Sequence, residues 1–348
     1  MNMEREHFFE MITKIPKAEI HLHLEDFLAG VTAREENVTS LSDFVVLFRS
    51  VQDSVQIIED MSIAFKNIVH YMKTNGVVYA EVFFSPGRYL RESGWSYKGL
   101  VKFFEKFVRD IRRRQGFEIK FIVDISRSNG VEIAAGVLDV VIKNRSDCVI
   151  GIGLGGDEIA GPARDFVELF NRAREYGLRT VAHAGEADGP HSILDAVELL
   201  GAERIGHATS AMENPNILKL LVERQIPLEI APTSNLVTGR YVKNLAEHPL
   251  KKYLENGAFI TLNSDDPTIF NTGLVKEYWN LYNKMGYDIR HLYFIIVNGF
   301  RASFLPEGRK REYIKMVNKM WRRSVQLNSN LEAGYLHEIG KKFKGEVN

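Results

Sequence analysis

The feature that most constrains the fold is a recurring alternation of two patterns. Short apolar, β-branched runs return along the chain at Ala18–Leu24, Val77–Phe84, Glu118–Ile125, Val149–Gly155, Arg179–Ala184, Arg204–Ala208, Pro227–Ala231 and Phe259–Asn263. Their weak period-2 alternation is what strands buried on both faces show. Helix-period segments separate most of them. One carries Leu100, Phe103, Phe104, Phe107, Val108 and Ile111 on a single stripe and stops at Gly116. A second carries Phe166, Leu169, Phe170, Ala173 and Tyr176 before Gly177, and a third Ile193, Leu194, Val197 and Leu200 before Gly201. An apolar stripe followed by glycine reads as an amphipathic helix with a left-handed stop. Strand then helix, repeated, predicts a parallel sheet. Eight repeats predict an α/β chain closed into a (β/α)8, or TIM, barrel. No phosphate-binding glycine fingerprint follows the first run, which argues against a doubly wound sheet. After about Val275 the pattern is helical and predicts a C-terminal helical extension. With no linker or repeat, residues 1–348 are expected to form one domain.

Lys and Arg number 45, as do Asp and Glu, so the net charge is zero and offers nothing to attract nucleic acid or an anionic membrane. Arg112, Arg113 and Arg114 read as the solvated end of a helix. Cys148 is the only cysteine and lies in an apolar run, so it reads as buried filler in a reducing compartment. No apolar stretch approaches the roughly 20 residues of a membrane span. A cytoplasmic protein with a small-molecule partner is expected; self-association is left open.

Polar groups gather at the ends of the predicted strands. The first ends His21-Leu22-His23-Leu24-Glu25, the fifth His183-Ala184-Gly185-Glu186, the sixth Gly206-His207-Ala208 and the eighth Asn263-Ser264-Asp265-Asp266. Residues i and i+2 of a strand share a side, so His21 and His23 can aim together into a barrel mouth. Imidazoles with a carboxylate suit zinc, and His183 and Asp265 are the natural further ligands. Each residue also has an ordinary structural reading. His183 or His207 could be a satisfied core histidine, Glu186 a first-turn helix carboxylate, and Asp265 and Asp266 cap residues. All of them falling at the same end of their strands favours a site.

These residues resemble the motifs of the adenosine/adenine deaminase family. Pro16-Lys17-Ala18-Glu19-Ile20-His21-Leu22-His23 is similar to its opening signature. Tyr79-Ala80-Glu81-Val82, Leu154-Gly155-Gly156-Asp157-Glu158, His183-Ala184-Gly185-Glu186, Arg204-Ile205-Gly206-His207-Ala208, Pro232-Thr233-Ser234-Asn235, Ser264-Asp265-Asp266-Pro267 and Ala302-Ser303-Phe304 follow in the family's order. The resemblance implies one Zn2+ per chain, held by His21, His23, His183 and Asp265. It implies Glu186 as the acid for purine N1 and His207 as the residue that orients a water. Gly156 would meet ring N3, Asp266 ring N7, and Glu25 and His23 the substrate. The implied reaction is deamination of a 6-aminopurine, adenosine or a 5′-modified relative such as methylthioadenosine or aminodeoxyfutalosine. Adenine deamination, another amidohydrolase reaction and a non-catalytic purine-binding role are the alternatives. The run Gly151 to Gly156 contains no lysine to bridge two metals, which favours a mononuclear site.

Four departures bear on the substrate. Asp26 replaces a usual glycine after Glu25, so an added carboxylate is expected on the sugar side. The stretch before the Leu41–Phe48 helix is short, which predicts a thinner lid. Phe83 and Phe84 resemble the adenine-deaminase branch, and Gly153 replaces a common aspartate.

Overall fold

A computed structural model describes residues 3–29, 38–238 and 240–327. Its eight strands are β1 (Lys17–His23), β2 (Val77–Phe84), β3 (Glu118–Ser126), β4 (Val149–Gly155), β5 (Arg179–Ala184), β6 (Arg204–His207), β7 (Leu228–Ile230) and β8 (Ile260–Leu262). They lie in sequence order in one sheet, each parallel to the next. The expected strands are all present, with ends moved by a residue or two.

Closure between β8 and β1 uses a residue beyond β8. The Asp265 amide donates to His21 O at 3.2 Å, and the His23 amide donates to Asp265 O at 3.3 Å. The sheet therefore shuts through the segment that carries a predicted ligand.

The helices follow their stripes. In the helix Tyr97–Gln115, Ser96 caps the Gly99 amide at 3.3 Å, and Gly116 at φ +74° turns the chain out of the last turn. Leu100 and Phe104 are buried, while Arg112 to Arg114 are exposed, as predicted for a solvated helix end. Cys148 is buried. The helices Leu274–Asn283, Ile289–Ala302 and Glu307–Leu327 form the extension; residues 328–348 lie outside the described ones. No described helix is long and apolar enough to cross a membrane.

Inside the barrel, charge is buried as a connected set. Arg204 of β6 has about 1% exposure and forms ion pairs with Glu81 of β2 and Glu229 of β7, each at 2.6 Å. The Phe304 ring covers its guanidinium at 3.8 Å, and the Phe304 amide donates to Glu81 at 2.6 Å. Ala302 O accepts from Arg204 at 3.2 Å. The Ala302-Ser303-Phe304 motif is thus a cover for a buried ion pair. The motifs brought Glu81 and Arg204 into view, but nothing local in them signals their pairing with each other or with Glu229.

Removing one partner of such a set leaves an uncompensated buried charge. Arg204→Met fills the volume but strands two carboxylates, so it should lower stability by about 3–5 kcal/mol. Urea denaturation checks this, and an unchanged midpoint would show that the pairing contributes nothing.

Candidate active site

The strand ends place His21, His23, His183, His207 and Asp265 together. Ring centroids of His21 lie 5.6 Å from His23, 4.5 Å from His183 and 5.1 Å from His207. Asp265 Oδ1 is 3.4 Å from His21 Nε2 and 3.2 Å from His23 Nε2. His21, His183, His207 and Asp265 each offer a donor atom within 4.8 Å of the others, and His23 forms a second such group with Asp265 and Asp266. Both groups can hold a metal ion, and Asp265 belongs to both.

The hydrogen bonds decide which imidazoles present a lone pair. His21 Nδ1 lies 2.6 Å from Glu229 Oε2. Glu229 is buried, yet Arg204 and His21 lower its pKa, so it is an ionised acceptor. The proton therefore sits on His21 Nδ1. That leaves Nε2 buried without a hydrogen-bond partner and facing Asp265. His183 Nδ1 donates to Leu154 O at 3.2 Å, which turns its Nε2 the same way. Burial and the neighbouring imidazoles push His183 well below the usual histidine range, so it is neutral.

His207 is the opposite case. The Leu250 amide can only donate, and it donates to His248 Nδ1 at 3.1 Å. His248 Nε2 then carries the proton and donates to Asn235 Oδ1 at 3.2 Å. The other Asn235 atom is the amide nitrogen, which donates to His207 Nδ1 at 2.9 Å. His207 is left with its proton on Nε2, 3.4 Å from Glu186 Oε2 and 4.0 Å from Asp265 Oδ2. Burial keeps it neutral, lowering its pKa to about 3. His207 thus offers the site a donor and His183 an acceptor; against the effect of burial, Asp265 and Glu229 raise the pKa of His21 to about 9, and a bound cation would take the place of its Nε2 proton. His248 was invisible in the sequence because its contact with Asn235 depends on the fold.

The buried donor set fits a divalent metal: an orphaned, inward-facing Nε2, a second neutral imidazole and a carboxylate. Burial opposes charge on Asp265, but His21 and His23 hold it well below the usual carboxylate range, so it remains an anionic donor. Ser234 Oγ donates to its second oxygen at 2.7 Å. Both His207 and Asp265 have φ of +65°, a left-handed conformation unusual for residues with a side chain. Such strain costs about 1–3 kcal/mol per residue and persists where surrounding structure imposes it.

Glu186 has about 4% exposure, and burial with the nearby Asp265 charge raises its pKa to about 8. It therefore holds a proton at neutral pH. Thr238 donates to its Oε1 at 2.6 Å. Glu158 fixes the loop beneath by accepting from the amides of Glu186, Ala187 and Asp188 at 3.0, 2.7 and 2.9 Å. Burial, then the charges of Asp265 and Asp26, push Asp266 well above the carboxylate range, and its Oδ1 has no partner.

A cavity of about 430 Å³ opens over these groups, lined by His23, Gly156, His183, Glu186, His207, Asp265 and Asp266 among others. Glu25 is not in its wall. Its carboxylate lies behind, accepting from the Ser85 amide at 3.0 Å and from Gln52 at 3.3 Å, and these two residues line the cavity instead. Asp26 does not line it either. Its carboxylate accepts from the Thr268 and Ile269 amides at 2.9 and 2.8 Å, so the added charge braces the turn after β8 and not the sugar side. The shortened stretch includes residues 30–37, outside the described ones. The two remaining departures, at 83 and 153, are one packing solution. A Cβ on Gly153 would lie 2.6 Å from the Phe83 ring, and that ring packs on His21, His23 and His183 with centroids 4.9, 5.2 and 5.3 Å away.

An eight-stranded parallel barrel with such a cluster at its strand ends has the architecture of a metal-dependent hydrolase. Residues 25–320 match the adenosine deaminase family model, and the chain belongs to that family. It is 32% identical to the aminodeoxyfutalosine deaminase of Streptomyces avermitilis over 86% of this chain and 89% of that one. It is 33% identical to the adenosine deaminase of Salmonella newport, over 85% and 96%. The crystal structure of the adenine deaminase of Arthrobacter aurescens superposes with a TM-score of 0.83 at 27% identity, over 88% and 99%. The chain is accordingly a deaminase-type hydrolase.

The hydrogen-bond chain makes a prediction. Nitrogen-15 NMR of the histidines should show neutral His207 protonated at Nε2. Asn235→Asp places an acceptor at Nδ1 and should move the proton there, lowering kcat by about 10²-fold or more. An unchanged tautomer in that variant would show that the chain does not set it.

Proposed function

We propose that this protein hydrolyses the 6-amino group of an adenosine-type nucleoside, using one zinc ion held by His21, His23, His183 and Asp265, to give an inosine-type product and ammonia. The carrying observation is a buried, protonated Glu186 set beside a neutral, Nε2-protonated His207 and the anionic Asp265. Deamination needs those three functions at one carbon. Zinc supplies an activated water at neutral pH and suits the nitrogen and carboxylate donors. Glu186 delivers a proton to ring N1 as the attacking oxygen bonds to C6. His207 Nε2–H donates to that oxygen and fixes its direction of approach. The Gly156 amide faces N3. Asp266, holding its proton, donates to N7, which can only accept. One water balances the reaction: its first proton replaces the one that Glu186 gives to N1, and its second passes from the C6 hydroxyl to the amino nitrogen as the C6–N bond breaks and ammonia leaves.

The likeness to an adenine deaminase keeps the free base as a second reading. The cavity continues beyond the groups that would hold a purine, which favours a nucleoside. Ammonia release from adenosine-type nucleosides, compared with adenine, is the direct test; release from adenine alone would refute the nucleoside reading.

Glu186→Gln should retain metal by elemental analysis and lose about 10²–10⁴-fold in kcat, because an amide cannot supply the proton. Normal turnover in that variant would remove Glu186 from the role. Asp265→Ala should lower metal content. Wild-type protein should carry one zinc per chain, whereas two would point to a binuclear amidohydrolase.

A further inference from the structure

The sugar of a nucleoside needs a hydrogen-bonding partner, and Glu25 is not placed to be one. It stands behind Ser85 and Gln52, which line the cavity in its stead. Another group must face the sugar. This inference rests on the reading above, in which Glu186, Gly156 and Asp266 meet ring N1, N3 and N7.

The order of atoms around a purine locates the sugar. From C6 the edge runs N1, C2, N3, C4, N9, C8 and N7. The three partners run round the barrel in the same order: Glu186 follows β5, Gly156 follows β4, and Asp266 lies beyond β8. N9 falls between N3 and N7. The sugar therefore lies over the ends of β3, β2 and β1, the strands that separate β4 from β8 on that side of the barrel.

Two acids line the cavity there, Glu92 of the helix Gly87–Glu92 and Asp124 of β3. Glu92 is 43% exposed and shared between two arginines, 3.1 Å from Arg88 Nε and 2.6 Å from Arg91 Nη2. Asp124 is different. It has about 7% exposure, and only one of its oxygens is engaged: Ser85 Oγ donates to Oδ2 at 3.0 Å. Oδ1 is buried with no hydrogen-bond partner among the described residues. An unpartnered buried oxygen is costly, and a ligand that supplies a partner recovers the cost.

The neighbouring strand is shaped around this carboxyl group. A Cβ on Gly155 would stand 2.8 Å from both Asp124 oxygens, and one on Gly153 would stand 3.3 Å from Oδ1. The end of β3 also adjoins the residue assigned to N3, since Ser126 Oγ and Ser128 Oγ each lie 3.3 Å from where a Cβ on Gly156 would be. N3 neighbours the carbon that joins N9, so Asp124 is on the sugar side of the base. A hydroxyl suits its carboxyl group with or without a proton, because a hydroxyl both donates and accepts. The 2′ and 3′ hydroxyls stand on the sugar ring itself, whereas the 5′ hydroxyl is carried on a carbon outside it.

We propose that Asp124 recognises the sugar, by a hydrogen bond between its carboxyl group and one of the two secondary hydroxyls. It takes the part that Glu25 was expected to play.

The test is a cycle of variants and substrates. kcat/KM is measured for adenosine and for its 2′-deoxy, 3′-deoxy and 5′-deoxy forms, in the wild type and in Asp124→Ala. In the wild type, loss of the 2′ or of the 3′ hydroxyl should lower kcat/KM by about tenfold or more, the size of one strong hydrogen bond. In Asp124→Ala the same loss should cost less than about threefold, because the pair is already broken. Loss of the 5′ hydroxyl should cost the same in both proteins. If Asp124→Ala fails to fold, Asp124→Asn keeps the size of the side chain, and there the cost of the missing hydroxyl should shrink at least about threefold. A purely structural role for Asp124 would lower all four substrates by one factor, and that result would overturn the proposal. Coupling to the 5′ hydroxyl alone would overturn it too. Either outcome leaves the deaminase reading intact. If none of the four released ammonia, that reading would fail. Calorimetry of the wild type with inosine, 2′-deoxyinosine and 3′-deoxyinosine would then decide this one, with equal affinities against it.

Discussion

Glu229 carries a full charge in a place with no access to water, and two donors make that tolerable. Arg204 holds one oxygen at 2.6 Å and His21 Nδ1 holds the other at 2.6 Å. An isolated buried carboxylate would be neutralised by a proton; this one is kept ionised by its partners. The consequence reaches the site directly. Because Glu229 takes the Nδ1 proton, Nε2 is the atom His21 turns to the site, and a bound cation would displace the proton that Asp265 otherwise holds there. The ion pair that holds the barrel interior together is the same one that prepares a metal ligand.

The rest of the site uses the same device. One end of His183 and of His207 meets a group of fixed character, and the other end is thereby assigned. The Leu154 carbonyl does this for His183 and the Leu250 amide, through His248 and Asn235, for His207. Four polar side chains, His21, His183, His207 and Asp265, therefore have the atoms they turn to the site fixed before any ligand arrives. Catalysis gains from such preorganisation because the groups need not reorient during reaction. The cost is visible in the backbone, where His207 and Asp265 are both held at φ +65°.

Packing explains the chain's departures from its relatives better than single positions do. Phe83 fills the space that a side chain at 153 would take, and Gly153 is what lets the ring support three histidines. Asp26 looks like an added charge for a ligand, yet it is consumed by two backbone amides. Farther out, the cavity is lined by two helices whose facing side chains are apolar on one part and cationic on the other.

How much of this was legible without coordinates follows from the range of each interaction. Strand and helix periods are local, so the barrel, its eight strands and the helical extension could be read directly. That His21, His23, His183, Glu186, His207, Asp265 and Asp266 gather at one end was equally legible, because each sits where its strand stops. The pairing of Glu229 with His21, 208 residues apart, was not, nor was the role of His248, nor the withdrawal of Glu25 behind Ser85 and Gln52. Hydrogen-bond direction, the shape of a cavity wall and the sharing of Glu92 between two arginines are properties of atoms brought together by folding. Residue order determines which strand end or helix a group occupies; only tertiary contact decides which of its atoms faces the substrate and which is already spoken for.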